Sequence, residues 1–136
     1  MTSENVYIVQ PVFQENTAEA LRQEAIALIE SAGAAYAGTL YAKIREINPA
    51  TFLGEGKVAE LRDRLDGLDV TVLFNGDLSP SQTVNLSEAL DGKKVIDRTT
   101  LILDIFALRA ESSEGKLQVE LAQLRYLYPR LKGKGE

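Results

Sequence analysis

The sequence predicts an α/β fold: a small parallel sheet of about four strands with helices on both faces, followed by a projecting C-terminal helix. Short segments rich in β-branched residues alternate about four times with segments whose apolar residues recur at helical spacing. Residues 70–74 (VTVLF) form a nearly continuous apolar run, which is typical of a strand covered by helices on both faces. The 136 residues are 45% hydrophobic, which is enough for one domain with a real core.

The first half of the chain is predicted to contain two strands with a helix between them. Residues 6–12 (VYIVQPV) are rich in β-branched side chains and predict the first strand. Thr17 is a candidate N-cap for the helix, and Gly33 is a candidate C-cap. Apolar residues in rough alternation over 36–47 predict the second strand, which the following Asn-Pro pair terminates.

The second half continues the alternation of helices and strands. Helical stripes span 54–67 and 79–92, and strands are predicted at 70–74 and 95–96. A Ser-Pro pair begins the second of these helices, with serine at the N-cap and proline at the first helical position. Thr99 or Thr100 is a candidate cap for a long final helix.

The charge distribution divides the chain into an acidic body and a mildly basic tail. Residues 1–108 carry 9 Lys or Arg and 16 Asp or Glu, a net charge of −7, whereas residues 109–136 carry 6 and 4, a net charge of +2. Apolar residues of the tail recur at intervals of four and three, which predicts the seam of a helix that packs against another helix at coiled-coil angles. An amphipathic helix lying on its own sheet is the alternative. We therefore divide the chain into an N-terminal α/β domain at 1–110 and the start of a coiled-coil subdomain at 111–136. The helix-helix interface is predicted to contain Leu117, Leu121, Leu124, Tyr128 and Leu131.

Composition excludes several kinds of chemistry. The chain has no Cys and no His, so thiolate and imidazole metal ligands are absent, as is the side chain best suited to proton transfer near neutral pH. No pair of carboxylates converges in the predicted pattern, and we assign no catalytic residue and no metal site. No apolar run approaches the roughly 20 residues that span a bilayer, and the N-terminal residues do not resemble a signal peptide. We expect a cytoplasmic protein that does not span a membrane.

Three segments carry candidate anion- or nucleotide-binding residues. The sequence GEGK at 54–57 resembles part of a phosphate loop, but valine follows the lysine where a magnesium-binding Ser or Thr is required. A contact with an anion or an RNA phosphate remains open there, as does a plain loop-to-helix turn. Ser79 follows a strand, where α/β folds bind ligands, although helix capping also explains it. For Arg98 a structural ion pair is favoured over a phosphate contact. The candidate set is Gly54, Gly56, Lys57, Ser79 and Asp97.

Several long segments closely resemble the HflX family of translation-associated GTPases. They are GEGKVAEL at 54–61, LSPSQ at 78–82, VIDRTTLILDIFA at 95–107 and GKLQVELAQL at 115–124, and they occur in the family's order. Residues 1–47 fit only loosely. The resemblance implies an N-terminal α/β domain and a helical hairpin that precede a G domain. Since nothing in the sequence matches the GTP-contacting motifs, we expect a fragment that ends before the second hairpin helix.

The resemblance also implies a function. HflX-type proteins bind the large ribosomal subunit and split or rescue stalled ribosomes, and their N-terminal domain contacts ribosomal RNA. The expected partners are therefore the large subunit and its rRNA. No cofactor is expected in this chain, because GTP and Mg²⁺ would bind the G domain, and no catalysis is expected from it. The residues expected to contact RNA are Lys57, Arg98, Arg109, Lys116, Arg125 and Arg130.

Two other functions stay open. One is ATP binding by this domain in its own right, at the carboxyl ends of the strands, as is reported for some members of the family. The other is self-association through the C-terminal helix, which predicts a homodimer of this chain through residues 111–131.

Overall fold

The computed structural model describes residues 4–13 and 17–109, which form a four-stranded parallel sheet and four helices. This confirms the predicted α/β class. The predicted C-terminal helix and its interface residues lie outside the described residues. The elements are β1 (Asn5–Val12), α1 (Ala18–Ser31), β2 (Ala35–Lys43), α2 (Glu55–Leu65), β3 (Thr71–Phe74), α3 (Pro80–Ala89), β4 (Val95–Asp97) and α4 (Arg98–Arg109).

The strand order is β2-β1-β3-β4, and each neighbouring pair is parallel. The chain therefore leaves β1 toward one edge of the sheet and then returns past β1 to build the other edge. Right-handed crossovers place α1 on one face of the sheet and α2 and α3 on the opposite face. The direction in which strands are added to the sheet reverses between β1 and β3. Open α/β sheets bind ligands at the carboxyl ends of the strands at such a position.

The sheet separates two apolar cores. Successive residues of β1 alternate between them, since Ile8 contributes to one and Val9 to the other. On the first face α1 and α4 cover the strands with Ala25, Ile29, Leu101 and Ile105. On the second face α2 and α3 supply Val58, Leu61, Leu65 and Leu86. Within the described part of the chain, no helix is both long and apolar enough to cross a membrane.

Two predicted boundaries were wrong. The second strand ends at Lys43 rather than at residue 47, because β1 ends at Val12 and offers no partner beyond the bond from the Ile44 N–H to the Val12 carbonyl. The last helix begins at Arg98, and Asp97 caps it instead of a threonine. The Oδ1 atom of Asp97 accepts hydrogen bonds from the N–H and the hydroxyl of Thr100, at 3.1 and 2.9 Å.

A bulge interrupts the pairing of β1 with β2. Val6 pairs with Tyr36, whereas Tyr7 pairs with Gly38, so that Ala37 has no partner in the register. The backbone of Gly38 has φ +144°, and a Cβ atom there would lie 2.8 Å from Cε2 of Tyr7. Glycine is therefore required on both conformational and steric grounds, because the Tyr7 ring lies directly against the backbone of β2.

We expect Gly38→Ala to lower the free energy of unfolding by about 1–3 kcal/mol, because the added methyl group overlaps the Tyr7 ring and the backbone φ is unfavourable for alanine. Urea denaturation followed by circular dichroism measures the change. Gly56→Ala is the matched control, since no atom lies within 4 Å of a Cβ built on Gly56. Equal stabilities of the two variants would contradict the steric explanation.

Candidate functional site

A cleft of about 140 Å³ opens between the carboxyl ends of β1 and β3, at the point where the chain reverses direction. One part of its lining is aromatic and consists of Phe13, Phe52 and Phe74. The remainder comes from the end of β1, the start of α1 and the loop after β3. These lining residues are Gln10, Pro11, Thr17, Ala18, Leu21, Asn75, Gly76 and Asp77.

Phe52 belongs to the loop between β2 and α2, and this loop fixes its ring in the cleft. Its backbone has φ +68°, which is uncommon for a bulky side chain. Asn48 closes the loop by exchanging two backbone hydrogen bonds with Phe52, at 3.1 and 2.8 Å, while its side chain accepts from the Ala50 N–H at 2.8 Å. The Phe52 ring centroid lies 4.7 Å from that of Phe74 and 6.5 Å from that of Phe13, the latter edge to face.

Helix α3 anchors the same loop from outside. The side-chain amide of Asn85 donates to the Ala50 carbonyl at 2.9 Å, and that of Gln82 lies 3.4 Å from the Asn48 carbonyl. Gln82 also forms a capping box with Ser79, with mutual side-chain to backbone bonds of 3.1 and 2.9 Å. Ser79 therefore starts α3, as the sequence predicted, and its hydroxyl is engaged in the cap.

A buried amide network forms the polar side of the cleft. Asn75 is 5% exposed, and its Nδ2 atom donates to Oε1 of Gln10 at 2.6 Å and to the carbonyl of Leu21 at 3.0 Å. Because a carbonyl can only accept, the Leu21 contact fixes the orientation of the Asn75 amide, which in turn requires Gln10 to present its oxygen. The Nε2 atom of Gln10 then donates to the Pro11 carbonyl at 3.1 Å.

Arg98 extends this network to α1 and α4. Its guanidinium forms an ion pair with Glu24 and lies 3.5 Å from Oδ1 of Asn75, while its backbone N–H donates to the Gly76 carbonyl at 3.2 Å. The favoured interpretation of Arg98 as a structural ion pair is confirmed. The preceding Asp97 is buried and accepts from the Leu78 N–H at 3.2 Å as well as capping α4. Both residues thus fix the start of α4 against the loop after β3.

The glycine-rich segment begins α2. Gly54 is the N-cap, and Gly56 lies in the first turn of the helix. Lys57 pairs with Glu60 at 3.0 Å and lines a shallow hollow of about 430 Å³ together with Lys43. This hollow and the aromatic cleft share Ala18 as a lining residue. The other residues of the hollow are Val12, Glu19 and Tyr41.

The predicted anion-binding residues are not gathered at one point. Gly54, Ser79 and Asp97 stand at the starts of three different helices on the carboxyl side of the sheet. In the described structure, none of the five predicted residues lines the aromatic cleft. Sequence reasoning missed the cleft residues, although glutamine inside an apolar strand was a signal that pointed to Gln10.

The remaining predicted residues occupy the end of the chain. Arg109 is the last residue of α4, and its side chain lies outside the described residues. Also outside them are the predicted RNA contacts Lys116, Arg125 and Arg130 and the interface residues Leu117, Leu121, Leu124, Tyr128 and Leu131. These assignments stay predictions.

Glu19 is the centre of a hydrogen-bonded cluster at the edge of the hollow. Its carboxylate accepts from Arg22 at 2.6 and 3.1 Å, from Gln23 at 3.0 Å and from the Tyr41 hydroxyl at 2.9 Å. The Arg22 bonds are the largest cause that lowers the pKa of Glu19, from 4.5 to about 2. Burial and the bond to Glu19 raise the pKa of the Tyr41 phenol.

The sequence matches a known family along nearly its whole length. The family described as GTP-binding GTPase N-terminal matches residues 19–107, and the GTP-binding GTPase Middle Region matches residues 109–136. The protein named GTPase HflX from Lacrimispora saccharolytica is 48% identical over 120 residues. This chain belongs to the HflX-type GTPase family. The resemblance inferred from the motifs is therefore confirmed.

The chain corresponds to an N-terminal part of HflX-type proteins. It covers 28% of the length of the Lacrimispora relative, which in turn matches 88% of this chain. GTPase HflX of Escherichia coli strain K12 is 48% identical over 110 residues, 80% of this chain and 26% of the relative. Among solved structures, a GTP-binding protein from Sulfolobus solfataricus in complex with GDP superimposes with a TM-score of 0.74 at 27% identity, covering 97% of this chain and 39% of that one.

We expect the Glu19 carboxyl to titrate near pH 2, as carbon-detected NMR of the side chain would show. Tyr41→Phe removes one donor to the carboxylate and should raise the pKa of Glu19 toward 4.5. Because the folded pKa lies below the unfolded one, the cluster stabilises the fold fully above about pH 4.5, and this stabilisation is lost as the pH falls toward 2.

Tyr36→Phe is the control for this titration. The Tyr36 hydroxyl contacts Arg22 at 3.3 Å, whereas the donors to the Glu19 carboxylate are Arg22, Gln23 and Tyr41, so the pKa of Glu19 should move much less. A midpoint near 4.5 in the unaltered protein would show that the cluster does not hold the carboxylate in its charged form.

Proposed function

We propose that this chain is the module through which an HflX-type GTPase docks on the large ribosomal subunit and contacts rRNA during ribosome splitting or rescue. The observation that carries the proposal is the match to the N-terminal region of proteins named GTPase HflX at close to half identity. In this proposal the module positions the protein on its target. GTP and Mg²⁺ bind the G domain of the complete protein, which also performs hydrolysis.

The local chemistry of the glycine-rich segment supports docking over hydrolysis. Lys57 forms a partly exposed ion pair with Glu60, and Val58 occupies the position where a phosphate loop needs a hydroxyl to hold Mg²⁺. Gly54 and Gly56 leave the first turn of α2 open, since no atom lies within 4 Å of a Cβ built on either. This turn is accessible to a phosphate of a nucleic-acid backbone without any catalytic role.

Contact with RNA has to be local, because the body of the protein is acidic. Lys43 and Arg45 are exposed at the end of β2, and neither forms an ion pair with another of the described residues. Together with Lys57 they place three cations near the carboxyl end of the sheet. Cations that contact phosphates release condensed counterions, which makes binding salt-dependent. The basic segment that follows α4 would extend this contact through Arg109, Lys116, Arg125 and Arg130.

Co-sedimentation of the chain with purified large ribosomal subunits tests the proposal. We expect binding that weakens with salt, with log K falling linearly against log salt concentration. Lys57→Gln should reduce the steepness of that line by about one if the side chain contacts a phosphate. Lys94→Gln is the control, because Lys94 is an exposed cation that precedes β4 at the opposite, amino end of the sheet.

Two results would contradict the proposal. The first is failure of the chain to sediment with large subunits at low salt. The second is binding whose strength does not depend on salt, because this would exclude phosphate contact as the source of affinity.

A further inference from the structure

We propose that the aromatic cleft is a slot for one unpaired nucleobase of RNA. This inference rests on the proposed rRNA-docking function and specifies how the module would recognise single-stranded RNA. Four features of the described residues carry it: the volume of the cleft, an exposed phenylalanine, a strained phenylalanine and a buried amide with an unused donor.

The volume favours a single ring system. Sites for drug-sized ligands occupy roughly 300–1,000 Å³. The cleft encloses about 140 Å³, which is too small for a complete nucleoside triphosphate. The adjacent hollow provides Lys43 and Lys57 on its lining, and this arrangement suits a nucleic-acid backbone that passes the cleft while one base enters it.

Phe13 provides a stacking surface. Its side chain is 51% exposed although it directly follows β1, and the centroid of its ring lies 6.5 Å from that of Phe52 in an edge-to-face arrangement. This leaves a ring face available to a ligand. Aromatic rings that lie beside cationic grooves stack with bases of any sequence, because every base has a π-face.

Phe52 is held in a conformation that glycine would adopt without strain. Its φ of +68° is maintained by two backbone hydrogen bonds to Asn48. The Phe52 ring thereby lines the cleft at the carboxyl ends of the strands. Strained backbone positions that surrounding bonds maintain concentrate at ligand-binding sites. The strained backbone thus places an aromatic ring in the lining of the cleft, together with residues of α1.

Gln10 lines the cleft and carries a side-chain donor that its neighbours do not use. Its side chain is fully buried, and among the described residues its Nε2 atom donates only to the Pro11 carbonyl, so one N–H is unused. Asp77 lies at the rim and uses Oδ1 to accept from Thr99 at 3.1 Å, which leaves acceptor capacity on the carboxylate. A planar slot with a donor and an acceptor matches a nucleobase, whose edge carries both kinds of group.

A single-stranded RNA of about 12 nucleotides with one 2-aminopurine tests the proposal on the 136-residue chain. Entry of the 2-aminopurine into the slot should raise its fluorescence, because the base leaves the stack of neighbouring bases that quenches it. Phe13→Ala should weaken binding by about tenfold or more, which is the effect of losing one base-aromatic stack. Phe106→Ala is the matched control, since Phe106 is 55% exposed on α4 and does not line the cleft.

Phe52→Gly provides a second variant that does not depend on tolerance of strain at that position. It removes the ring and adopts the positive φ without strain. Circular dichroism checks that the fold survives the lost contact with Phe74, and both RNA binding and the rise in fluorescence should then be reduced. Unchanged affinity in both cleft variants would overturn the base slot. Displacement of the RNA by an equal concentration of ATP, or by duplex RNA of the same sequence, would also overturn the assignment to an unpaired base.

The failure of this inference is distinguishable from failure of the proposed function. If the cleft variants bind the oligonucleotide normally while the unaltered chain still sediments with large subunits in a salt-dependent manner, only the base slot is excluded. If the unaltered chain does not sediment with large subunits at all, the docking function itself is excluded.

Discussion

The arrangement of the elements around the carboxyl ends of β1 and β3 depends on the side-chain amide of Asn75. This residue follows β3 directly, and its two kinds of polar atom contact β1, α1 and the first residue of α4. Parallel strands whose crossovers diverge leave a gap between their carboxyl ends. The amide fills part of this gap with hydrogen bonds rather than with apolar contacts. The amide thereby supplies a donor to Gln10 Oε1 and to the Leu21 carbonyl, and both Gln10 and Asn75 are buried.

The same network connects the cleft with the helix that leads to residues 110–136. Arg98 is the first residue of α4, and it contacts Asn75 and Glu24 with its side chain and Gly76 with its backbone. A ligand that moved the loop after β3 would therefore act on the start of α4. The residues after this helix match the family's middle region, and the chain spans 28% of the length of the Lacrimispora protein.

The fold was predictable because its signals are local and repeated. The apolar run at 70–74 became the fully buried β3, and the Ser-Pro pair at 79–80 became the cap and first residue of α3. The cleft was not predictable in this way. Phe52 lines it because of a positive φ and a closed loop, and neither has a sequence signature beyond the preceding Asn-Pro pair. The ion pair of Arg98 with Glu24 joins residues that are 74 positions apart, which no local pattern reveals.

The free energy of unfolding of Asn75→Ala, compared with that of Asn85→Ala, tests the central role of the buried amide most directly. Asn75→Ala leaves Gln10 Oε1 without its donor inside the protein and should cost roughly 2–3 kcal/mol. Asn85→Ala removes one bond to the Ala50 carbonyl near the surface and should cost about 1 kcal/mol or less. Equal and small losses of unfolding free energy in the two variants would show that the arrangement around the carboxyl ends of β1 and β3 does not depend on Asn75.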